Sequence, residues 1–141
     1  MTKHQNNGDC AHCDQIMDRY PNFNAELRTW FKAFQKSHPE AHCSCAGRGE
    51  MDQEAAFIRK TSRAHWKQSS HNYNCALDLF EMSAGYPGDI YAREWFDKVL
   101  APEVPEWIDW YGKPHAPFPE LPHIEVKEWR QLLADGRLTL V

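Results

Sequence analysis

Two imidazoles and three carboxylates, set in two short stretches, are the residues of this chain best suited to chemistry. The first stretch runs Ser69-Ser70-His71-Asn72-Tyr73-Asn74-Cys75-Ala76-Leu77-Asp78-Leu79-Phe80. It puts His71 just ahead of a turn and Asp78 inside an apolar run. Asn72 and Asn74 are turn formers. The alternation from Cys75 to Phe80 predicts a strand, with Ala76, Asp78 and Phe80 on one face and Cys75, Leu77 and Leu79 on the other. A carboxylate there must be hydrated, paired or bound to metal, because burying it bare is very costly. The second stretch, Phe118-Pro119-Glu120-Leu121-Pro122-His123-Ile124-Glu125, supplies another imidazole and two more carboxylates.

Three ligands of histidine and carboxylate type, with a fourth position left to water, are the usual donor set of catalytic zinc. His71, Asp78 and His123 make such a set. The ion would lower the pKa of a bound water toward neutrality. Glu120, three residues before His123, is placed to take that water's proton. Pro119 and Pro122 argue for a rigid turn there rather than a helix. Glu125, two residues beyond His123 on a strand, would share its face and orient it, with the role of base as its alternative. Each signal alone is short, and a histidine on an apolar strand is often just a satisfied core group.

The elements that must position these groups are legible in outline. Asn24 reads as the N-cap of a helix that buries Leu27, Trp30, Phe31 and Phe34 and ends at Pro39. Ala41 to Ala46 reads as a short strand, followed by a turn at Gly47-Arg48-Gly49. Glu50 to Lys60 reads as a helix with Met51, Ala55 and Ile58 inward. Thr61 to Ser70 is a loop. After Phe80 comes a loop with Gly85, Pro87 and Gly88. Asp89 would cap a helix to Leu100 with Ile90, Trp95, Phe96 and Val99 inward. His123 to Val126 reads as a strand, and Val126 to Ala134 as a final helix closed by Gly136. Irregularly interspersed strands and helices predict a small single α+β domain, an antiparallel sheet flanked by helices, with the zinc site at the sheet. The expected division is a cysteine-bearing N-terminal tail, residues 1–20, and a domain over residues 21–141.

With 141 residues, six Trp, seven Phe and five Tyr, the chain can build one packed core. A net charge of −4 gives no general reason to expect nucleic acid or an anionic membrane as partner. One local exception, Ile58 to Lys67, carries Arg59, Lys60, Arg63, His65 and Lys67. It reads as a solvated face beside the site or as a landing strip for an anionic polymer. No apolar run is long enough for membrane insertion, and the first ten residues lack a secretory signal. The expectation is therefore synthesis in the cytoplasm, as a monomer. Trp66, Trp107, Trp110 and Tyr111 are candidates for a binding groove, or for core.

Five cysteines do not make a simple disulfide framework. Cys10-x2-Cys13 and Cys43-x-Cys45 could hold a second, structural zinc, with His12 and His42 as substitute ligands. Free buried thiols or one disulfide are the alternatives.

The wider pattern resembles the zinc D,D-/L,D-peptidases of family M15. This family includes D-alanyl-D-alanine carboxypeptidases, VanX- and VanY-like enzymes and phage L-alanyl-D-glutamate endolysins. Ser69-x-His71-x4-Ala76-x-Asp78 resembles the family's Ser-x-His-x4-Ala-x-Asp element. Glu120-x2-His123 resembles its acidic-residue-x2-His element, and Arg48-x4-Gln53 its upstream Arg-x4-Gln element. The Pro122-His123-x-Glu125 ending is most similar to the endolysin branch. The resemblance spans roughly residues 24 to 130, with its three blocks in the family's order. Cys75 departs from it, where Gly or another small turn residue is expected.

The resemblance implies His71, Asp78 and His123 as zinc ligands and Glu120 as general base. It implies that Arg48 binds a substrate carboxylate or carbonyl and stabilises the oxyanion. Ser69, Gln53 and Glu125 would bind substrate or support the ligands. The activity implied is that of a zinc metallopeptidase, a hydrolase of the peptidoglycan stem peptide acting at the cell wall in phage lysis. An L-Ala–D-Glu bond is the expected target. A D-Ala–D-Ala carboxypeptidase or dipeptidase, or a non-catalytic wall-binding or virion domain, is the alternative.

Overall fold

Short-range hydrogen bonding and apolar spacing define each element of the computed structural model, which describes residues 3–82, 91–113 and 120–141. Helix α1 (Ala11–Asp18) turns Cys13, Ile16 and Met17 inward, so the segment read as a tail joins the core instead. Helix α2 (Ala25–Ser37) starts where the Asn24 side chain accepts the Leu27 N–H, and it buries Leu27, Phe31, Phe34 and Gln35. Strand β1 (Ala41–Cys45) leads to helix α3 (Glu50–Ile58). A single 3-10 turn, Ser70–Tyr73, precedes strand β2 (Ala76–Glu81). Helix α4 (Arg93–Trp95) continues through a wide turn at Phe96–Leu100 and a tight one at Ala101–Glu103. Strand β3 (Ile108–Trp110), strand β4 (His123–Val126) and helix α5 (Trp129–Ala134) complete the α+β domain.

The four strands form one antiparallel sheet in the order β1-β2-β4-β3. Strand alternation divides it into two faces. Cys43, Leu77, Leu79 and Ile124 face the main core, against Leu27, Phe31 and Phe34 of α2 and Trp95, Phe96 and Leu100 of the α4 region. Asp78 and His123, paired across β2 and β4, belong to the opposite face. At β1 the register shifts between Cys43, opposite Leu79, and Cys45, opposite Asp78. That bulge moves Cys45 from the core face to the Asp78 face.

Several expectations are revised. In α3, Met51 and Ile58 are exposed, and the buried residues are Gln53 and Ala56. Gln53 is drawn in because its amide has partners there, whereas two apolar side chains on one short helix stay at the surface. The helix expected to Leu100 is recognisable from Arg93 onward, with Trp95, Phe96 and Leu100 buried. Gly85, Pro87, Gly88, Asp89, Ile90, Phe118 and Pro119 lie outside the described residues. Gly47 is needed for a close approach: a Cβ there would lie 2.7 Å from the Tyr20 ring, whose hydroxyl donates to the Gly47 carbonyl at 3.0 Å. No helix among the described residues is long and apolar enough to cross a membrane.

Candidate metal centre and cleft

His71 reaches the sheet from the 3-10 turn. Ser69 caps that turn by accepting the His71 N–H at 3.2 Å, and Asn72 Oδ1 accepts the Ser69 N–H at 3.2 Å. Asn72 also donates to the Arg48 carbonyl and to Gln53 Oε1, at 2.9 and 3.2 Å. The turn carrying His71 is thereby tied to Arg48 and Gln53. Asn74 takes the left-handed conformation, φ 63°, that lets the chain enter β2. The turn thus needs no small residue at 75. Cys75 is fully buried against Tyr73, Val126 and Trp129, and burial followed by the Glu125 charge pushes its thiol up to about 12.

Three donor atoms converge at the sheet. His71 Nε2 lies 3.1 Å from Asp78 Oδ1, His123 Nδ1 lies 3.3 Å from the same oxygen, and the two nitrogens are 3.2 Å apart. Tetrahedral zinc with nitrogen and oxygen ligands at about 2.0–2.1 Å holds them about 3.3 Å apart. Hydrogen bonds alone would leave one edge of this triangle without a proton of its own, whereas one ion satisfies all three edges. The residues present therefore fit a metal. Asp78, His71 and Cys45 also form a set of potential donors whose ligand atoms lie within 4.8 Å of one another.

The outward nitrogens are held as well. His123 Nε2 meets Glu125 Oε1 at 2.7 Å. Glu125 Oε1 also accepts Ser70 Oγ–H at 2.9 Å, and Oε2 accepts the Tyr111 hydroxyl at 2.9 Å and the Trp129 indole N–H at 2.7 Å. On the other side, Cys45 Sγ lies 3.9 Å from His71 Nδ1. Cys45 thus stands behind a histidine of the sheet site instead of joining Cys10 and Cys13.

Electrostatics follow from this packing. Burial alone would lower the His71 pKa, but the Asp78 carboxylate and Cys45 outweigh it and raise it to about 10. Burial would raise Asp78, yet His71 and His123 hold its carboxyl well below the usual range. His123 is raised by Asp78 and Glu125 against the opposing effect of burial. Glu125 is lowered, because its contacts with His123, Ser70 and Tyr111 outweigh its burial.

Glu120 sits at the mouth, nearly half exposed, with Oε2 3.8 Å from His123 Nδ1. A turn holds it: its N–H donates to the Tyr111 carbonyl, and its carbonyl accepts the His123 N–H. The cleft above has a volume of about 400 Å³, and its lining includes Arg48, Arg63, Glu120, Arg130 and Tyr111. Arg48 Nη1 reaches Gln53 Oε1 at 3.4 Å. Gln53 Nε2 in turn donates to Ser62 Oγ and the Ala64 carbonyl, at 2.9 and 2.6 Å, fixing the loop after α3. Of the aromatic residues considered for a groove, Tyr111 lines this cleft and Trp66, Trp107 and Trp110 do not; Trp110 is core. Sequence reading missed Ser70 and Trp129, which donate to Glu125 from 55 and 4 positions away, and Arg130, which folding brings to the cleft wall.

No protein-family model matches the sequence, and no curated protein does so significantly. Among solved structures, the fold is similar to that of the Serratia marcescens L-Ala D-Glu endopeptidase ChiX. The TM-score is 0.64 at 12% sequence identity, over 86% of this chain and 90% of that one. At that identity the likeness shows a shared fold.

Proposed function

We propose that the chain is a zinc-dependent peptidase that cleaves the stem peptide of bacterial peptidoglycan, at the L-Ala–D-Glu bond, in the manner of family M15. The observation that carries this reading is the triangle of His71, Asp78 and His123 donor atoms at the floor of an open cleft, with the Glu120 carboxylate beside it. The fold shared with an L-Ala D-Glu endopeptidase supports the choice of substrate class.

When bound, zinc supplies Lewis acidity, which acidifies a water in its open position and polarises a carbonyl oxygen. The chain's own residues do the rest. Glu125 accepts the proton on His123 Nε2, which leaves Nδ1 free as a ligand. Glu120, on the solvent side, takes a proton from the attacking water and returns it to the leaving amine. Arg48 donates to the carbonyl oxygen as charge develops on it, held in position by Gln53. Guanidinium groups from Arg48, Arg63 and Arg130 around the cleft suit a substrate rich in carboxylates, as a stem peptide is.

Incubating zinc-loaded protein with purified peptidoglycan, beside Glu120→Ala, tests the reading by mass spectrometry. New fragments with free N-terminal D-Glu, absent from the variant digest, are expected. Tight wall binding without any fragment, zinc being present, would replace this reading with a non-catalytic wall-binding domain.

A further inference from the structure

A second group of donors lies at the outer edge of the sheet and shares no residue with the cleft. His4, Cys10, Cys13 and His42 each offer one ligand atom, and all four atoms lie within 4.8 Å of one another. His4 Nδ1 is 3.4 Å from Cys10 Sγ and 3.5 Å from Cys13 Sγ, and His42 Nδ1 is 3.6 Å from Cys13 Sγ. Tetrahedral zinc with Zn–S of about 2.3 Å and Zn–N of about 2.0–2.1 Å sets sulfur and nitrogen about 3.6 Å apart. Cys10, Cys13 and His42 are fully buried. We infer that His4, Cys10, Cys13 and His42 bind a structural zinc ion that fastens the N-terminal segment and α1 to the edge strand β1.

The groups around the four donors point the same way. His42 Nε2 meets Asn6 Oδ1 at 2.6 Å, so its proton sits on Nε2 and Nδ1 presents a lone pair to the cluster. Cys13 Sγ accepts the Cys43 backbone N–H at 3.3 Å and the Gln35 amide at 3.5 Å, both favouring a thiolate. Gln35 is a fully buried polar side chain on α2. Its amide also bonds the Cys10 N–H and the Ala41 carbonyl, at 3.3 and 2.8 Å, bracing both cysteines against β1. Four protein donors leave no open position, which marks the site as structural and not catalytic.

This corrects the four-cysteine set read from sequence. The β1 bulge turns Cys45 to His71, and Cys43 contributes its backbone N–H to Cys13 while its thiol lies in the core. His42 and the distant His4 take their places. The same strand thus carries a metal ligand, His42, at one end and the support of a cleft histidine, Cys45, at the other.

Metal counting and X-ray absorption on purified full-length protein test the inference. The wild type is expected to hold two zinc equivalents and Asp78→Ala one. The ion remaining in Asp78→Ala should show two sulfurs at about 2.3 Å and two nitrogens at about 2.0–2.1 Å. Cys43→Ala should retain both ions, which a four-thiol site could not. A wild type with a single sulfur-ligated ion would uphold this site and count against the cleft reading instead. A residual shell without sulfur, no ion left in Asp78→Ala, or a Cys10–Cys13 disulfide in its place would overturn the inference.

Discussion

Glu125 and His123 lie two residues apart on β4, and their side chains meet at 2.7 Å on the face of the sheet that carries the cleft. Glu125 is buried and already accepts from Ser70, Tyr111 and Trp129, so all its lone pairs are directed away from solvent. Of the two glutamates flanking His123, this arrangement suits Glu125 to orient the ring, and in the proposed mechanism the base is Glu120.

Glu125→Gln should therefore weaken zinc binding at the cleft by about 10- to 100-fold, because the amide no longer secures the Nε2–H tautomer. Competition with a chromophoric chelator measures it. Unchanged affinity would mean that the contact is only packing.

Arg48→Ala should lower kcat/KM by about 100-fold while zinc content stays at the wild-type level. Gln53→Ala should give a smaller loss of the same kind, since it removes the group that holds Arg48 and the Ser62–Ala64 loop. Steady-state kinetics with matched metal analysis separates a role in catalysis from one in metal binding.

Much of this was legible beforehand, for physical reasons. The Asn24 cap and the spacing of Leu27, Phe31 and Phe34 define α2, and the alternation around Asp78 and His123 places both on one face, because these patterns are local. Three features were not legible. The inward face of α3 centres on the polar Gln53, whose partners are Arg48, the Ser62–Ala64 loop and Asn72 of the 3-10 turn. The β1 bulge reverses Cys45 relative to Cys43, and no residue in Ala41–Cys45 announces it. Finally, His4 joins the cysteines only through folding of the N-terminal segment.

Metal and protons should compete at the cleft. The folded-state pKa of His71 is raised to about 10 from 6.5, so below that the metal-free protein keeps this ring protonated. Zinc must displace the proton, and its affinity should climb as pH rises, with proton release visible by calorimetry in buffers of different ionisation enthalpy. In stripped protein the raised His71 contributes stability that is complete below pH 6.5 and fades toward about 10. The lowered Asp78 contributes stability that is complete above 3.8 and fades as pH falls. This cluster should thus stabilise the stripped protein most between pH 3.8 and 6.5, as thermal melts across pH would show.

Asn74→Ala should cost about 1–2 kcal/mol in urea unfolding, because Ala lacks the polar side chain with which Asn tolerates the left-handed backbone, and the bonds to Thr139 are lost. Asn74→Gly should cost less, since only the side-chain bonds disappear. Equal losses would remove backbone conformation as the cause.

The most direct measurement compares wild type and Glu120→Gln on a synthetic L-Ala–γ-D-Glu stem peptide, each shown by elemental analysis to hold the same zinc. The account predicts cleavage by the wild type and a loss of about 100-fold or more in kcat for the variant at full metal occupancy. Equal turnover by the two proteins, or none by the zinc-loaded wild type, would contradict it.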